Sequence, residues 1–486
     1  MHPRPTPTRP STAGLTSRPL SAGLIAGMIV GLAGALMALP ARANTEPSPK
    51  VFERTLENGL KVLVKPDRRA PILTSQVWYK VGASYEYGGI TGVSHVLEHM
   101  MFKGTEHLGP GEFSRIIAEN GGEENAFTGS DYTAYYQNLA SDRLEVSFEL
   151  EAERMRNLSL DPESVLKEIE VVKEERRTRT DDDPQSLTYE RFNATAYVAS
   201  PYRNPVIGWP GDLEELRLED IKDWYRLWYA PNNAILVVAG DVDPEQVFDL
   251  AEKHFGPLKA ETIAPPKTRQ EPPQSGEKRI QVKAPAQEPY LLMGYKAPSV
   301  ADAAEEWEPY ALEMLASVLD GGGSARLARE LVRGTQVAAS AGASYSGFSR
   351  LPGLFMFDGV PAKGQDIPDL ETALRAQVER VRTEPVDPEE LERIRTQLIA
   401  NKVYEKDSVF YQAMQLGQLE AVGLGWELAD RYVEKLAAVT PEQIQAVARK
   451  YLIPDRLTVA VLDPQPLDGK QVARAPLLPG ARDDVR

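Results

Sequence analysis

The sequence predicts an α+β protein built from two similar units, and three observations carry that expectation. Strand-like and helix-like runs follow one another in mixed order with hairpin signals between them, rather than in strict strand–helix alternation. A stretch dense in proline and charge, from Gly256 to Pro289, divides the chain near its middle. On either side of it one pattern recurs, from Leu218 to Asp241 and from Pro441 to Pro464: an amphipathic helix, a proline break and a β-branched strand. The breaking prolines, Pro231 and Pro454, stand 223 residues apart, and the strands Ile235–Ala239 and Leu457–Leu462 keep that offset.

Taken in order, residues 51–66 read as a hairpin turning at Asn58-Gly59, followed by a strand from Ile72 to Val81. Helical periodicity then runs from about Gly92 to Phe102 and from Glu112 to Glu119, the second ending on Gly121-Gly122. Two further strands, Glu124–Thr128 and Tyr132–Leu139, flank a Gly129-Ser130-Asp131 turn. Long helical patterns start at Arg143 and at Pro162. The expected divisions are an N-terminal domain over residues 50–256, a linker over 257–288, a C-terminal domain over 289–466 and a tail over 467–486.

The first residues read as a targeting segment. Arg4, Arg9 and Arg18 precede an uncharged apolar stretch, Leu20 to Leu39, which ends in Pro40-Ala41-Arg42-Ala43. A basic region, an apolar region and an Ala-x-Ala site make a secretory signal peptide over residues 1–43, which implies export to the periplasm; the alternative is a single membrane anchor. Cleavage removes four arginines and no acid, taking the formal charge from -16 to -20.

Composition narrows the chemistry. An acidic chain without a basic run offers no footprint for nucleic acid or an anionic membrane. With 0 Cys there is no thiol nucleophile, iron–sulfur cluster or cysteine-held zinc, so a transition metal needs histidine and carboxylate.

Two of the 5 histidines fall in the segment Gly92-Val93-Ser94-His95-Val96-Leu97-Glu98-His99-Met100. On a helix, positions four apart share a face one turn apart, so His95 and His99 can present imidazoles to one metal ion. Glu98 edges the same face and can serve a metal-held water without being a ligand. This H-x-x-E-H order is the inverted form of the H-E-x-x-H zinc helix. His107 reads as a loop histidine and His254 as solvent-facing. Catalytic zinc takes three protein ligands, so the third should be a carboxylate, and the richest source is the helix Glu168 to Arg177. Glu168 and Glu175 share one face and Glu170 and Glu174 another. Helical phase alone does not choose between them, and all four can also form a solvated face pairing with Lys173, Arg176 and Arg177.

With its His95-x-x-Glu98-His99 motif and the later Glu168-x6-Glu175, the chain resembles the insulinase (pitrilysin, M16) family of zinc peptidases over nearly all of its mature length, and within it the short-chain, processing-peptidase-like branch. Gly92 to His95, Phe102 to Thr105, Glu124 to Thr128, Tyr132 to Tyr136 and Leu319 to Leu327 read as the family does. The resemblance implies two homologous domains of the LuxS/MPP-like metallohydrolase type, each a mainly antiparallel sheet packed with helices. It implies one Zn2+ held by His95, His99 and Glu175, with Glu174 as the fallback ligand, Glu98 as general base and Glu168 behind the ligands. The implied activity is an endopeptidase acting on peptides or unfolded segments in an enclosed chamber, with the peptide backbone added along Asn125-Ala126-Phe127. Self-sufficient members carry an Arg followed seven residues later by a Tyr in the second half. Here Arg333 is present, as a further substrate-binding residue, but the Tyr position holds Ser340 and Tyr345 lies five residues on. That departure implies a zinc-bearing subunit completed by a homologous partner carrying the Arg/Tyr pair, with a homodimer as the alternative. The rival reading is a non-catalytic peptide-holding or assembly subunit, as in the core proteins of the bc1 complex.

Overall fold

The computed structural model describes residues 50–267 and 269–467. The expected signal peptide over 1–43 and nearly all of the expected tail over 467–486 lie outside the described residues. The first half supplies β1 (Phe52–Thr55), β2 (Lys61–Pro66), β3 (Ile72–Tyr79), β4 (Glu123–Thr128), β5 (Thr133–Ala140) and β6 (Ala234–Gly240). Its helices are α1 (Val93–Met100), α2 (Glu112–Glu119), α3 (Leu144–Arg156), α4 (Pro162–Arg176), α5 (Pro184–Ala196), α6 (Pro210–Glu215), α7 (Leu218–Trp228) and α8 (Pro244–Phe255). The second half supplies β7 (Lys278–Pro285), β8 (Tyr290–Ala297), β9 (Ala338–Tyr345), β10 (Gly353–Pro361) and β11 (Leu457–Gln465). Its helices are α9 (Glu308–Asp320), α10 (Ile367–Thr383), α11 (Pro388–Glu405), α12 (Val409–Ala421), α13 (Leu428–Ala437) and α14 (Pro441–Tyr451).

Many of these helices start where the sequence says they should. Asp161-Pro162, Asp183-Pro184, Asp243-Pro244 and Asp387-Pro388 each place a carboxylate that accepts an N-terminal backbone N–H, next to a proline that has no N–H to lose.

The strands form two sheets, ordered β1-β2-β6-β3-β5-β4 and β7-β11-β8-β10-β9. Setting β1 aside, the two follow one path. In each, the first and fifth strands pair in parallel, every other pairing is antiparallel, and the third strand ends at an edge. The 223-residue offset holds for helix and strand alike, since α7 and α14 begin at Leu218 and Pro441 and β6 and β11 at Ala234 and Leu457. The two-unit α+β reading is therefore correct.

The linker expected over 257–288 is too long, because β7 lies inside it and opens the second sheet. Ile280 and Val282 carry a strand's alternation, and Lys278 to Pro285 pair with β11; the surrounding prolines and charges hid this short β-branched run. No helix among the described residues is long and apolar enough to cross a membrane.

The halves are locked together by exchanging a helix. In α12, from the second half, Ala413, Leu416 and Leu419 pack on Leu63, Trp78, Ile235 and Val237 of the first sheet. In α5, from the first half, Phe192 and Ala196 pack on Leu292, Ala460 and Leu462 of the second. Strands such as β6, buried along their whole length, need cover on both faces, and the partner half provides one of those covers.

Candidate metal centre

The histidine helix is aimed by its own burial. Val93, Val96, Leu97 and Met100 of α1 sink into the first-half core, which turns His95, Glu98 and His99 toward α4 and β4. Its N-terminus is set by Gly92, whose φ of 90° suits glycine and whose Cβ, if present, would lie 2.8 Å from the Ile207 carbonyl oxygen. The buried Glu86 carboxyl accepts the Gly92 and Ser94 N–H groups at 2.8 and 2.9 Å, satisfying two of the donors that this end of the helix leaves free.

On α4, Val165, Ile169 and Val172 point into the same core, and that phase brings Glu168 and Glu175 to α1. Nε2 of His95 and of His99 lie 3.9 and 3.4 Å from the two Glu175 oxygens. One ligand atom from each of His95, His99 and Glu175 falls within 4.8 Å of the others, and among the described residues this is the one such group. Two imidazoles and a carboxylate are a donor set that zinc accepts, and leave room for a fourth ligand, so the residues fit the metal. Glu168 stands behind His99, 3.0 Å from Nδ1, which directs Nε2 toward Glu175; Lys103 holds its other oxygen at 2.7 Å. His95 has no such brace, and its buried Nδ1 is without a hydrogen-bond partner.

The electrostatics follow from this crowding. Burial pulls the His95 imidazole down to about 4, so it is neutral and able to ligate near neutrality. For His99 burial works downward, but bonds to Glu175 and Glu168 outweigh it and raise the value. The bond with His99 in turn holds Glu175 below its usual range. Burial lifts Glu98 to about 6, against a hydrogen bond donated by Thr128 at the end of β4.

The structure brings His95, Glu98, His99, Glu168 and Glu175 together. Glu174 points to solvent and pairs with Arg177, and Glu170 is exposed and pairs with Lys173, so the open helical phase resolves toward the 168/175 face. Asn125, Ala126 and Phe127 lie on β4, the open edge of the sheet that reaches the centre, with Phe127 on the α12 side and Ala126 on the core side. Arg333 is not part of this cluster. It is exposed, and its guanidinium donates to the Gly323 carbonyl. The Tyr345 hydroxyl donates to the Pro298 carbonyl at 2.6 Å, so it is committed elsewhere. His107 is an exposed loop residue, paired with Glu153. His254 is not solvent-facing: α8 packs along α3 and leaves it half-buried, 3.3 Å from Glu145.

Four supporting residues escaped the sequence reading. Arg179 holds Glu175 at 2.6 Å, and its i+4 spacing was the signal available. Lys103 and Thr128 were visible only as parts of longer motifs. Glu86 left no signal, because its carboxylate reaches backbone rather than a patterned side chain.

The comparisons with known proteins meet this geometry. A model of the insulinase family, peptidase family M16, matches residues 61–209, and one of the peptidase M16 inactive domain matches residues 215–398. The chain belongs to the M16 peptidase family. It is 39% identical over 297 residues to zinc protease PqqE of Helicobacter pylori, covering 60% of this chain and 66% of that relative. It is 24% identical to the uncharacterized zinc protease YmxG of Bacillus subtilis, over 84% of this chain and 97% of that one. Among solved structures, a protease from Helicobacter pylori superposes with a TM-score of 0.82 at 32% identity, covering 86% of this M16 chain and 100% of the other. The periplasmic protease PqqL from Escherichia coli shares the fold, with a TM-score of 0.71 at 16% identity over 89% of this chain and 51% of that one.

Proposed function

We propose that this M16 chain is a zinc-dependent endopeptidase of the periplasm, hydrolysing peptides or unfolded segments in a chamber completed by a homologous subunit. The observation that carries the reading is the His95–His99–Glu175 group with half-buried Glu98 beside it, tied through Thr128 to an open edge strand. When bound, zinc supplies Lewis acidity toward a water and the scissile carbonyl. Glu98 takes a proton from the attacking water at its carboxylate and delivers it to the leaving amine, and a pKa near 6 suits a group that must do both near neutrality. Glu168 keeps the His99 imidazole oriented, and the free N–H and C=O groups of β4 hold the peptide extended. The partner is inferred from Ser340, which offers no phenol, and from the prior engagement of Tyr345.

The test is to purify the mature chain, alone and with family members encoded beside it, and to measure zinc content and cleavage of quenched peptides. Glu98→Gln should keep stoichiometric zinc while the rate falls by about 10³ or more. Zinc without hydrolysis in every pairing sinks the peptidase reading in favour of a peptide-holding subunit. Fractionation of the native host checks the compartment, and recovery in the cytoplasm overturns that part.

A further inference from the structure

The two ends of β4 have different surroundings. Thr128, at one end, bonds the Glu98 carboxylate. Glu123, at the other, lines a cavity of about 630 Å³ between the starts of β3 and α12 and the end of β5, a volume in the range of built ligand sites. Its walls include Ile72, Leu139, Val409 and Phe410, and its charged groups are the carboxylates of Asp67, Glu123 and Asp407 against the single guanidinium of Arg69. Arg69 is already held by Asp67 at 2.6 Å and by Asp407 at 2.9 Å. Glu123 is exposed and has neither an ion pair nor a side-chain hydrogen bond among the described residues.

Strand geometry links this cavity to the metal centre. Successive side chains alternate between faces, and residues opposite one another on neighbouring strands share a face. Thr128 points to the α1 side, where Glu98 lies, whereas Glu123 shares the α12 side with Phe127. A peptide strand added to the β4 edge therefore turns one side chain to the metal centre opposite Thr128. The residue opposite Glu123, five positions and about 17 Å away, turns its side chain to the cavity.

We propose that this cavity is a subsite for a lysine or arginine of the bound peptide, four to six residues from the bond being cleaved. This rests on the peptidase reading above and adds a substrate class to it. A long side chain lays its methylenes along Ile72 and Phe410 and brings its cationic head to Glu123, satisfying the one carboxylate there that has no partner. An apolar side chain fills the walls but leaves Glu123 unpaired, and an acidic one meets three carboxylates.

The test uses the zinc-loaded chain, with the partner that activates it, on quenched peptides varied among Lys, Arg, Phe, Leu and Glu at each of the second to seventh residues on both sides of the cleaved bond. One position, four to six residues out, should favour Lys or Arg over Glu by about tenfold in kcat/KM. Glu123→Gln should reduce that preference about threefold to fivefold, the size of a solvent-facing ion pair, and Glu123→Lys should invert it. A fluorescent peptide carrying the preferred Lys should bind the Glu98→Gln chain more weakly by the same factor when Glu123→Gln is added, with unchanged circular dichroism. Cleavage without such a preference, a preference for Phe or Leu, or a Lys preference untouched by both Glu123 variants overturns the subsite and leaves the peptidase reading standing. Peptides neither cleaved nor bound overturn that reading and the subsite with it.

Discussion

The two places where a helix crosses to the opposite sheet are the same crossing built with opposite bulk. Trp78 pairs with Ile235 in the first sheet and Gly294 with Thr458 in the second, and those partners stand at the 223-residue offset, so Trp78 and Gly294 hold equivalent positions. Phe192 and Gly417 are each the ninth residue of a 13-residue helix, capped at Asp183 and Ser408. At one crossing the sheet supplies a buried tryptophan and the helix a glycine; at the other the helix supplies a phenylalanine and the sheet a glycine. A Cβ on Gly417 would lie 2.2 Å from the Trp78 ring, and one on Gly294 2.5 Å from Phe192. What the duplicated architecture preserves here is one large ring against one glycine across the contact, because a close-packed core has room for a ring from either side but not from both. The strands beneath are fastened alike: Lys61, first in β2, bonds Glu420 of α12, and Lys278, first in β7, bonds the Thr195 and Ala196 carbonyls at the end of α5. The histidine cluster breaks the symmetry, since no histidine follows His254.

The largest effect should expose that break. Glu175→Gln should abolish stoichiometric zinc and lower peptide hydrolysis about 10³-fold or more, whereas solvent-facing Glu174→Gln, and Glu392→Gln on α11, leave both within about twofold. Metal analysis with a peptide assay decides it, and loss of zinc in Glu174→Gln would reassign the ligand.

Next come the crossings. Gly417→Ala and Gly294→Ala should each destabilise by about 1–3 kcal/mol in urea unfolding. The sharper comparison is Gly417→Phe alone against Gly417→Phe with Trp78→Gly, which copies the second crossing into the first. The double variant should recover at least half of the loss, and no recovery would refute the equivalence of the two crossings.

Each half also buries a carboxyl. Burial lifts Glu86 to about 7, against its bonds to the Ser94 and Gly92 N–H groups, and lifts Asp358 to about 6, helped by the nearby Asp320 charge. Such groups bind protons more tightly folded than unfolded. Their contribution is neutral below the unfolded value near 4, turns against the native state as pH rises from there, and levels off above the folded values of about 6 and 7. Stability should therefore fall across that window, and Glu86→Gln or Asp358→Asn should each flatten the decline in melts taken from pH 4 to 8; an unchanged slope would rule out that carboxyl as its source. The smallest effect belongs to the fastening lysines. Lys61→Ala and Lys278→Ala should each cost less than about 1 kcal/mol, and the Lys61 loss, which removes a carboxylate pair, should shrink more in high salt.

Legibility followed the range of the interaction. His95, Glu98 and His99 could be read directly because four-residue spacing on one helix is a local fact. Glu175 could not be chosen from Glu168, Glu170 and Glu174 by phase, because phase has no origin until Val165, Ile169 and Val172 enter the core. The strand β7 was lost among prolines, and the exchange of α5 and α12 left no trace, since an apolar helix face announces burial without naming the sheet that buries it.

The sequence by itself determined the two-unit α+β architecture, the histidine pair with its glutamate, and the absence of any cysteine alternative, all of which rest on spacing within a few residues or on composition. Only the tertiary structure decided which carboxylate faces the histidines, that Thr128 ties Glu98 to the open edge strand, and which sheet each exchanged helix covers. Those are contacts between segments tens to hundreds of residues apart, set by how buried faces dock on one another, and no local periodicity encodes the partner.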